Sequence, residues 1–161
     1  MDIRGETEPD RAAIRRVETA AFPTAAEADL VDRLRADGDL RLSLVAAEGE
    51  EIVGHVAFSV MTAPFRALGL APVAVSPERQ TQGIGSALIR EGLRRVAAEG
   101  WEGVFVLGDP AYYERFGFDV GLASGFRCRY AGAHFMAEAL GGALPVLTGE
   151  VDYAPAFAAL D

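Results

Sequence analysis

Apolar and polar residues alternate along this chain in two rhythms, one of period two and one of helical period, and the rhythms come in blocks. Residues 3–7 alternate just enough for a first strand. Pro9 suits the first position of a helix. Ile14, Val17 and Ala21 then recur at helical spacing until Phe22-Pro23 ends the run. Thr24-Ala25-Ala26-Glu27 reads as a capping box opening a second helix. Leu30, Val31 and Leu34 form its apolar face and Gly38 its end. Residues 40–47 and 52–61 read as two strands joined at Gly49-Glu50-Glu51, a hairpin. Residues 68–75 predict another strand. Ile84, Leu88, Leu93 and Val96 mark a long helix closed by Gly100. A strand at 104–107 and a short helix from Pro110 follow.

The tail carries mixed signals. Residues 126–130, 134–140 and 144–153 read as two or three further strands, with Gly141-Gly142 as a turn between them. Ala137-Glu138-Ala139-Leu140 also has helical propensity. The order of elements predicts an α/β chain of the α+β kind, a mixed sheet with helices on both faces. No repeat, linker or low-complexity segment divides it, so residues 1–161 are expected to form one domain.

Composition narrows the function classes. Half of the 161 residues are hydrophobic, enough for a substantial core. No apolar run is long enough to span a bilayer. The start of the chain lacks a basic stretch followed by an apolar one, so a cytoplasmic location is expected. A single cysteine, Cys128, excludes an intrachain disulfide and any metal site built on several thiolates; no metal is expected. The net charge of −9 argues against nucleic acid as a partner. It agrees, weakly, with a cationic amine, although most such charge is a solvated surface. The oligomeric state stays open, with a homodimer as one option.

The candidate chemistry is concentrated at Gln80-Thr81-Gln82-Gly83-Ile84-Gly85, between the strand ending at Val75 and the long helix. Strand, tight polar turn and helix opening on glycines make a cradle for an anionic phosphate. A Walker loop would need Gly-Lys-Ser/Thr, and here Gly85 is followed by Ser86. A dinucleotide fingerprint would need a third glycine, and Leu88 stands there. The pattern Gln/Arg-x-x-Gly-x-Gly/Ala after a strand resembles the acyl-CoA pyrophosphate loop of the GNAT superfamily of N-acyltransferases. About 25 residues on, Gly108-Asp109-Pro110-Ala111-Tyr112-Tyr113 leads into Gly117-Phe118. That Tyr-x-x-x-Gly-Phe signature is similar to the family's next strand and short helix, and to a bacterial subgroup of predicted N-acetyltransferases.

The resemblance implies a central, twisted, mostly antiparallel mixed sheet. It also implies an activity: transfer of an acetyl group from acetyl-CoA to a primary amine, directly, in a ternary complex. Gln80, Thr81, Gln82, Gly83, Ile84, Gly85 and Ser86 would hold the pyrophosphate. The backbone of Val73, Ala74 and Val75, opened by a bulge that Pro72 favours, would face the pantetheine arm and the thioester carbonyl. Tyr113 matches the residue near the sulfur, a hydrogen-bond donor to the leaving thiolate and a proton donor if its pKa is lowered. Tyr112 is the packing residue and Asp109 an N-cap. The general base is open among Glu27, His55 and a water. Glu27 has a capping-box role that explains it without catalysis, and a lone strand histidine is more often structural. Cys128 and His134 lie in no motif. A non-catalytic CoA-binding sensor would use the same cradle without needing Tyr113. The substrate amine, small molecule or peptide, is not named by these residues.

Overall fold

The computed structural model describes residues 1–160. Its sheet has six strands: β1 (Asp2–Gly5), β2 (Leu40–Glu48), β3 (Glu51–Val60), β4 (Ala67–Val75), β5 (Gly103–Leu107) and, named in chain order, β7 (Phe135–Ala139). Their spatial order is β1-β2-β3-β4-β5-β7. All neighbours are antiparallel except β4 and β5. Helices α1 (Arg11–Ala21) and α2 (Ala26–Asp37) cover one face and α3 (Ile84–Ala98) the other. The mixed sheet with helices on both faces, expected from the order of elements, is thus the observed architecture. Two short helices, α4 (Pro110–Tyr113) and α5 (Val120–Ala123), follow β5, and the two-residue strands β6 (Phe126–Arg127) and β8 (Gly149–Glu150) pair in parallel.

Each helix is held by the stripe its sequence spacing announced. Ile14 and Val17 of α1 pack on Val45, Ala47, Ile52 and Ala74. Ile84, Leu88, Ile89, Leu93 and Val96 of α3 pack on Leu44, Ala46, Val56, Phe58, Leu68 and Leu70. Phe58 reaches α3 where Gly92 leaves room: an added Cβ would lie 2.4 Å from its ring. At about 25 cal/mol per Å² of apolar area, these stripes rather than helix propensity hold the layers together.

Two features of β4 shape the site. Its ladder to β5 covers only Ala67, Gly69 and the Leu68 between them, after which the two strands part. On its other edge Val56 pairs with Val73 but Phe58 pairs with Leu70. Two residues, Ala71 and Pro72, therefore oppose Ala57 alone, a bulge where the proline lacks a ladder donor. The C-terminal segment packs where the strands part. Gly69 admits the ring of Tyr153, whose Cε1 would stand 2.5 Å from an added Cβ.

Several local expectations are corrected. The capping box at Thr24 does not form. α2 starts at Ala26 with Ala25 at its N-cap, and Thr24 Oγ1 accepts only the Ala26 N–H at 3.2 Å. Glu27 therefore sits in the first turn with its carboxylate uncommitted to a cap. The tail keeps β7, but 126–130 shrinks to β6 and 144–153 to β8, followed by a 3-10 turn at Pro155–Leu160. The helical propensity of Ala137 to Leu140 yields to pairing with β5, since tertiary context overrides it. Among the described residues no helix is long and apolar enough to cross a membrane.

Candidate active site

Between β4 and α3 the chain makes a single 3-10 turn at Pro77–Arg79, then runs through Gln80, Thr81 and Gln82. Thr81 has φ 66° and Gly83 has φ 83°, so two residues of this short loop lie in the left-handed region. A threonine there is strained, and such turns aim successive N–H groups inward as an anion nest. Gly83 is the N-cap of α3 and supplies no side-chain cap, which leaves the first-turn amides of Ile84, Gly85 and Ser86 facing outward. They bound a cleft of about 320 Å³. Gln80, Thr81, Gly83, Ile84, Gly85 and Ser86 line it; Gln82 does not, and its side chain is exposed. Ile84 turns its side chain into the core, so it offers the cleft its backbone.

Two cations at this cleft were missed in the sequence, where only a Walker lysine was sought. Arg79 lines the cleft from the 3-10 turn and pairs with Glu48. Arg115 lies across it: its guanidinium donates to Ser86 Oγ at 2.9 Å and to the Tyr112 carbonyl at 3.1 Å, and sits 4.6 Å from the Tyr112 ring centroid. Arg115 lies inside the Tyr113 to Phe118 signature, and that position was the available signal. Tyr112, expected to be a packing residue, also lines the cleft, with its hydroxyl 3.3 Å from where a Cβ on Gly85 would be.

A second cleft of about 250 Å³ opens further back along the same strand, with Glu27, Pro72, Val73 and Tyr113 among its walls. The register of β4 decides which backbone groups face these clefts. Ser76 N–H donates to the Val53 carbonyl at 2.9 Å. Because antiparallel pairs alternate between hydrogen-bonded and non-bonded, the Ala74–His55 pair is then bonded. In the Val75–Gly54 and Val73–Val56 pairs, Val75 and Val73 turn their N–H and C=O groups away from β3, toward the β5 side. Gln80 Nε2 accordingly reaches the Val75 carbonyl at 3.1 Å. Of the three residues expected to present backbone here, Ala74 is committed to the sheet.

Tyr113 is fixed by its own signature. Its ring rests on Gly108, where an added Cβ would come within 2.5 Å, and meets buried Phe118 edge-on at 5.9 Å. Gly117, at φ 101°, ends the turn that brings Phe118 back. Asp109 caps α4 as expected, accepting the Ala111 N–H at 3.0 Å. Burial, with Tyr112 adding to it, pushes the Tyr113 hydroxyl up to about 12. The lowered pKa that full proton donation requires is therefore not found. Against a thiol near 8.5, transfer is uphill by roughly 5 kcal/mol at 1.36 kcal/mol per unit.

The family model of the acetyltransferase (GNAT) domain matches residues 39–120, more than half of this chain. YhbS of Escherichia coli K12, an uncharacterized N-acetyltransferase, is 39% identical over 160 residues, covering 95% of this chain and 96% of its own. The chain belongs to the GNAT acetyltransferase family. The crystal structure of E. coli YhbS in complex with CoA has a TM-score of 0.91 at 38% identity, covering 98% of this chain and 91% of that one. A GNAT acetyltransferase from Brucella melitensis in complex with acetyl-CoA has a TM-score of 0.83 at 41% identity, covering 97% of each. This chain is accordingly an acetyl-CoA-dependent acyltransferase.

In this GNAT chain His55 cannot reach an acceptor amine. It is 0% exposed, and both ring nitrogens are occupied. Nδ1 lies 2.7 Å from Glu18 Oε2 and Nε2 lies 2.8 Å from Ser43 Oγ. Ser43 Oγ in turn donates to Glu6 Oε1. Burial pushes Glu6 up, but hydrogen bonds from Arg35 and Ser43 outweigh it and hold the carboxylate below its usual range. An ionised Glu6 can only accept, so the one hydroxyl hydrogen of Ser43 goes to it. His55 Nε2 must then be the donor to Ser43. The short Nδ1–Oε2 contact needs one more proton, which Glu18 and His55 share. With one proton between them the pair carries no net charge, and burial raises Glu18 above the ordinary carboxyl value, only partly offset by His55. Glu27 adds to that upward push, which places it in electrostatic reach of Glu18. Of the two side-chain candidates for the base, Glu27 is the one in the cleft. Among the described residues no group of three or more His, Cys, Asp or Glu side chains is placed to hold a metal ion.

Proposed function

We propose that this enzyme transfers the acetyl group of acetyl-CoA directly to a primary amine while both are bound. One observation carries the reading: a single bulged strand borders two clefts, Val75 lining the anion cradle and Val73 the cleft that holds Glu27 and Tyr113. A phosphorylated thioester seated in the first delivers its acyl end to the second. The amides of Gln80 to Ser86, together with Arg79 and Arg115, hold the pyrophosphate. The freed N–H groups of Val73 and Val75 line the pantetheine arm and stabilise the oxyanion that develops on the carbonyl. The amine nitrogen attacks that carbon, the C–S bond breaks, and the thiolate leaves toward the Tyr113 hydroxyl, which donates a hydrogen bond to it. The amine proton passes to Glu27, directly or through a water, and from there to solvent.

An acyl-cysteine route has no support. Burial pushes the Cys128 thiol up, away from the thiolate form that a nucleophile needs. The rival reading, a CoA-binding sensor, uses the cradle and leaves Tyr113 and Glu27 idle. Tyr113→Phe separates the two. Turnover of an acetylated amine should fall by about 10²- to 10³-fold, the usual loss for one donor to developing charge, while the CoA-dependent rise in Tm is retained. Full turnover in the variant removes Tyr113 from the mechanism, and the absence of any amine-dependent CoA release favours the sensor.

A further inference from the structure

The cleft that holds Glu27 and Tyr113 continues into a third one, of about 270 Å³, with which it shares Ala71, Leu107 and Leu160. The remaining walls of this inner chamber are the rings of Tyr130, Tyr153 and Phe157. Tyr153 and Phe157 pack together at 4.8 Å and Tyr130 meets Tyr153 edge-on at 5.5 Å, so the wall is a preformed aromatic cluster. No side chain lining the chamber is charged. Leu107 and Leu160 stand at its junction with the acceptor cleft, and they are 46% and 39% exposed. Large apolar side chains left accessible around a concave site mark a ligand-binding surface. Across the junction the polarity reverses, because Glu27 supplies a carboxylate to the cleft that Tyr113 also lines. Charged side chains on the other side, Arg129 and Asp152, belong to an outer cleft that has Tyr130, Tyr153 and Phe157 as its shared wall.

Resting on the transferase reading, we infer that the acceptor is a monoamine carried by a short linker on a flat, apolar, ring-sized body. The ammonium end meets Glu27, loses its proton there and faces the thioester; the body passes Leu107 and Leu160 and fills the aromatic chamber. A closed apolar cavity of about 150 Å³ already takes up benzene, so a chamber of about 270 Å³ has room for one ring and its linker. Polycations fit poorly. The second ammonium of a polyamine or an aminoglycoside would lie against leucine and phenylalanine with no counter-charge, and burying an unpaired charge is expensive.

The test measures CoA thiol release from acetyl-CoA with 2-phenylethylamine, spermidine, kanamycin and a lysine-containing peptide blocked at its N-terminus. The expected kcat/KM for 2-phenylethylamine exceeds each of the others by about 10-fold or more, the range over which apolar pockets discriminate. Leu107→Asp should raise its KM by about 10-fold, with the CoA-dependent Tm rise unchanged; that rise also shows that the variant is folded. Leu160→Asp should do the same. If spermidine, kanamycin or the peptide is the better acceptor, or both variants leave KM for 2-phenylethylamine in place, the substrate class is wrong and the transferase reading stands. If CoA raises Tm and none of the four amines releases thiol, the proposed direct transfer to a primary amine falls and takes this inference with it.

Discussion

The neutral Glu18–His55 pair makes folding stability depend on pH in a way that one isosteric change should abolish. Folded, the pair keeps one proton beyond the neutral imidazole, shared across a contact of 2.7 Å in a site with no exposure. Unfolded, the carboxyl group releases its proton near pH 4.3 and the imidazole near 6.5. Glu18 is raised in the folded state, so its contribution is fully present at low pH and is lost as pH rises. Up to about pH 6.5 the proton on the unfolded histidine balances that loss. Above it the folded chain holds up to one proton more than the unfolded chain, and stability falls by up to about 1.2 kcal/mol between pH 7 and 8, within the limit of 1.36 kcal/mol per unit. In Glu18→Gln the amide N–H donates to His55 Nδ1 and the rest of the chain of hydrogen bonds is kept, but no extra proton is stored. Its stability should then be level or rise by about 0.1 kcal/mol over the same interval. Urea unfolding followed by Trp101 fluorescence at pH 7.0, 7.5 and 8.0 measures both. Glu138, raised to about 7 by burial, and Cys128 titrate alike in the two proteins and cancel in the difference. That difference should change by up to about 1.4 kcal/mol across the unit, or roughly 3 to 5 °C in Tm for a chain of this size. Parallel profiles for wild type and variant would refute the shared proton.

Three further outcomes follow from the site. Gly85→Leu places a side chain against Tyr112 and Val75 inside the cradle and should abolish the CoA-induced gain in stability, about 2.7 kcal/mol at 100 times Kd, while the apo protein stays folded in circular dichroism. Arg115→Gln should raise Kd for CoA by about 10-fold and flatten its dependence on salt, which titration calorimetry at two ionic strengths can read; an unchanged salt slope would remove the guanidinium from pyrophosphate binding. Glu27→Gln should depress kcat/KM for the acceptor and flatten the acidic limb of its pH profile. A variant with the wild-type limb would leave deprotonation to water.

Much of this molecule could be read from residue order, and the reason is local. The α1 and α3 stripes, the hairpin at Gly49 and the Asp109 cap are written in residue spacings of a few positions. So is the cradle, whose geometry rests on positive φ at Thr81 and Gly83 and on the orphan amides of one helix end. The capping box at Thr24 was a local signal that lost: α2 begins two residues later, with its first apolar contacts at Ala28, Leu30 and Val31. The tail was ambiguous because short segments of mixed propensity take their conformation from whatever edge is offered. Only the edge of β5 decided that residues 135–139 are a strand. Tertiary structure alone brought Glu18, 37 residues away in the chain, to His55 and turned a presumed candidate base into a buried, proton-sharing pair. It alone parted β4 from β5 after Gly69, laid Arg115 across the cradle and packed Tyr153 against Phe157. Such juxtapositions depend on where distant segments meet in space, and no spacing along the chain encodes them directly.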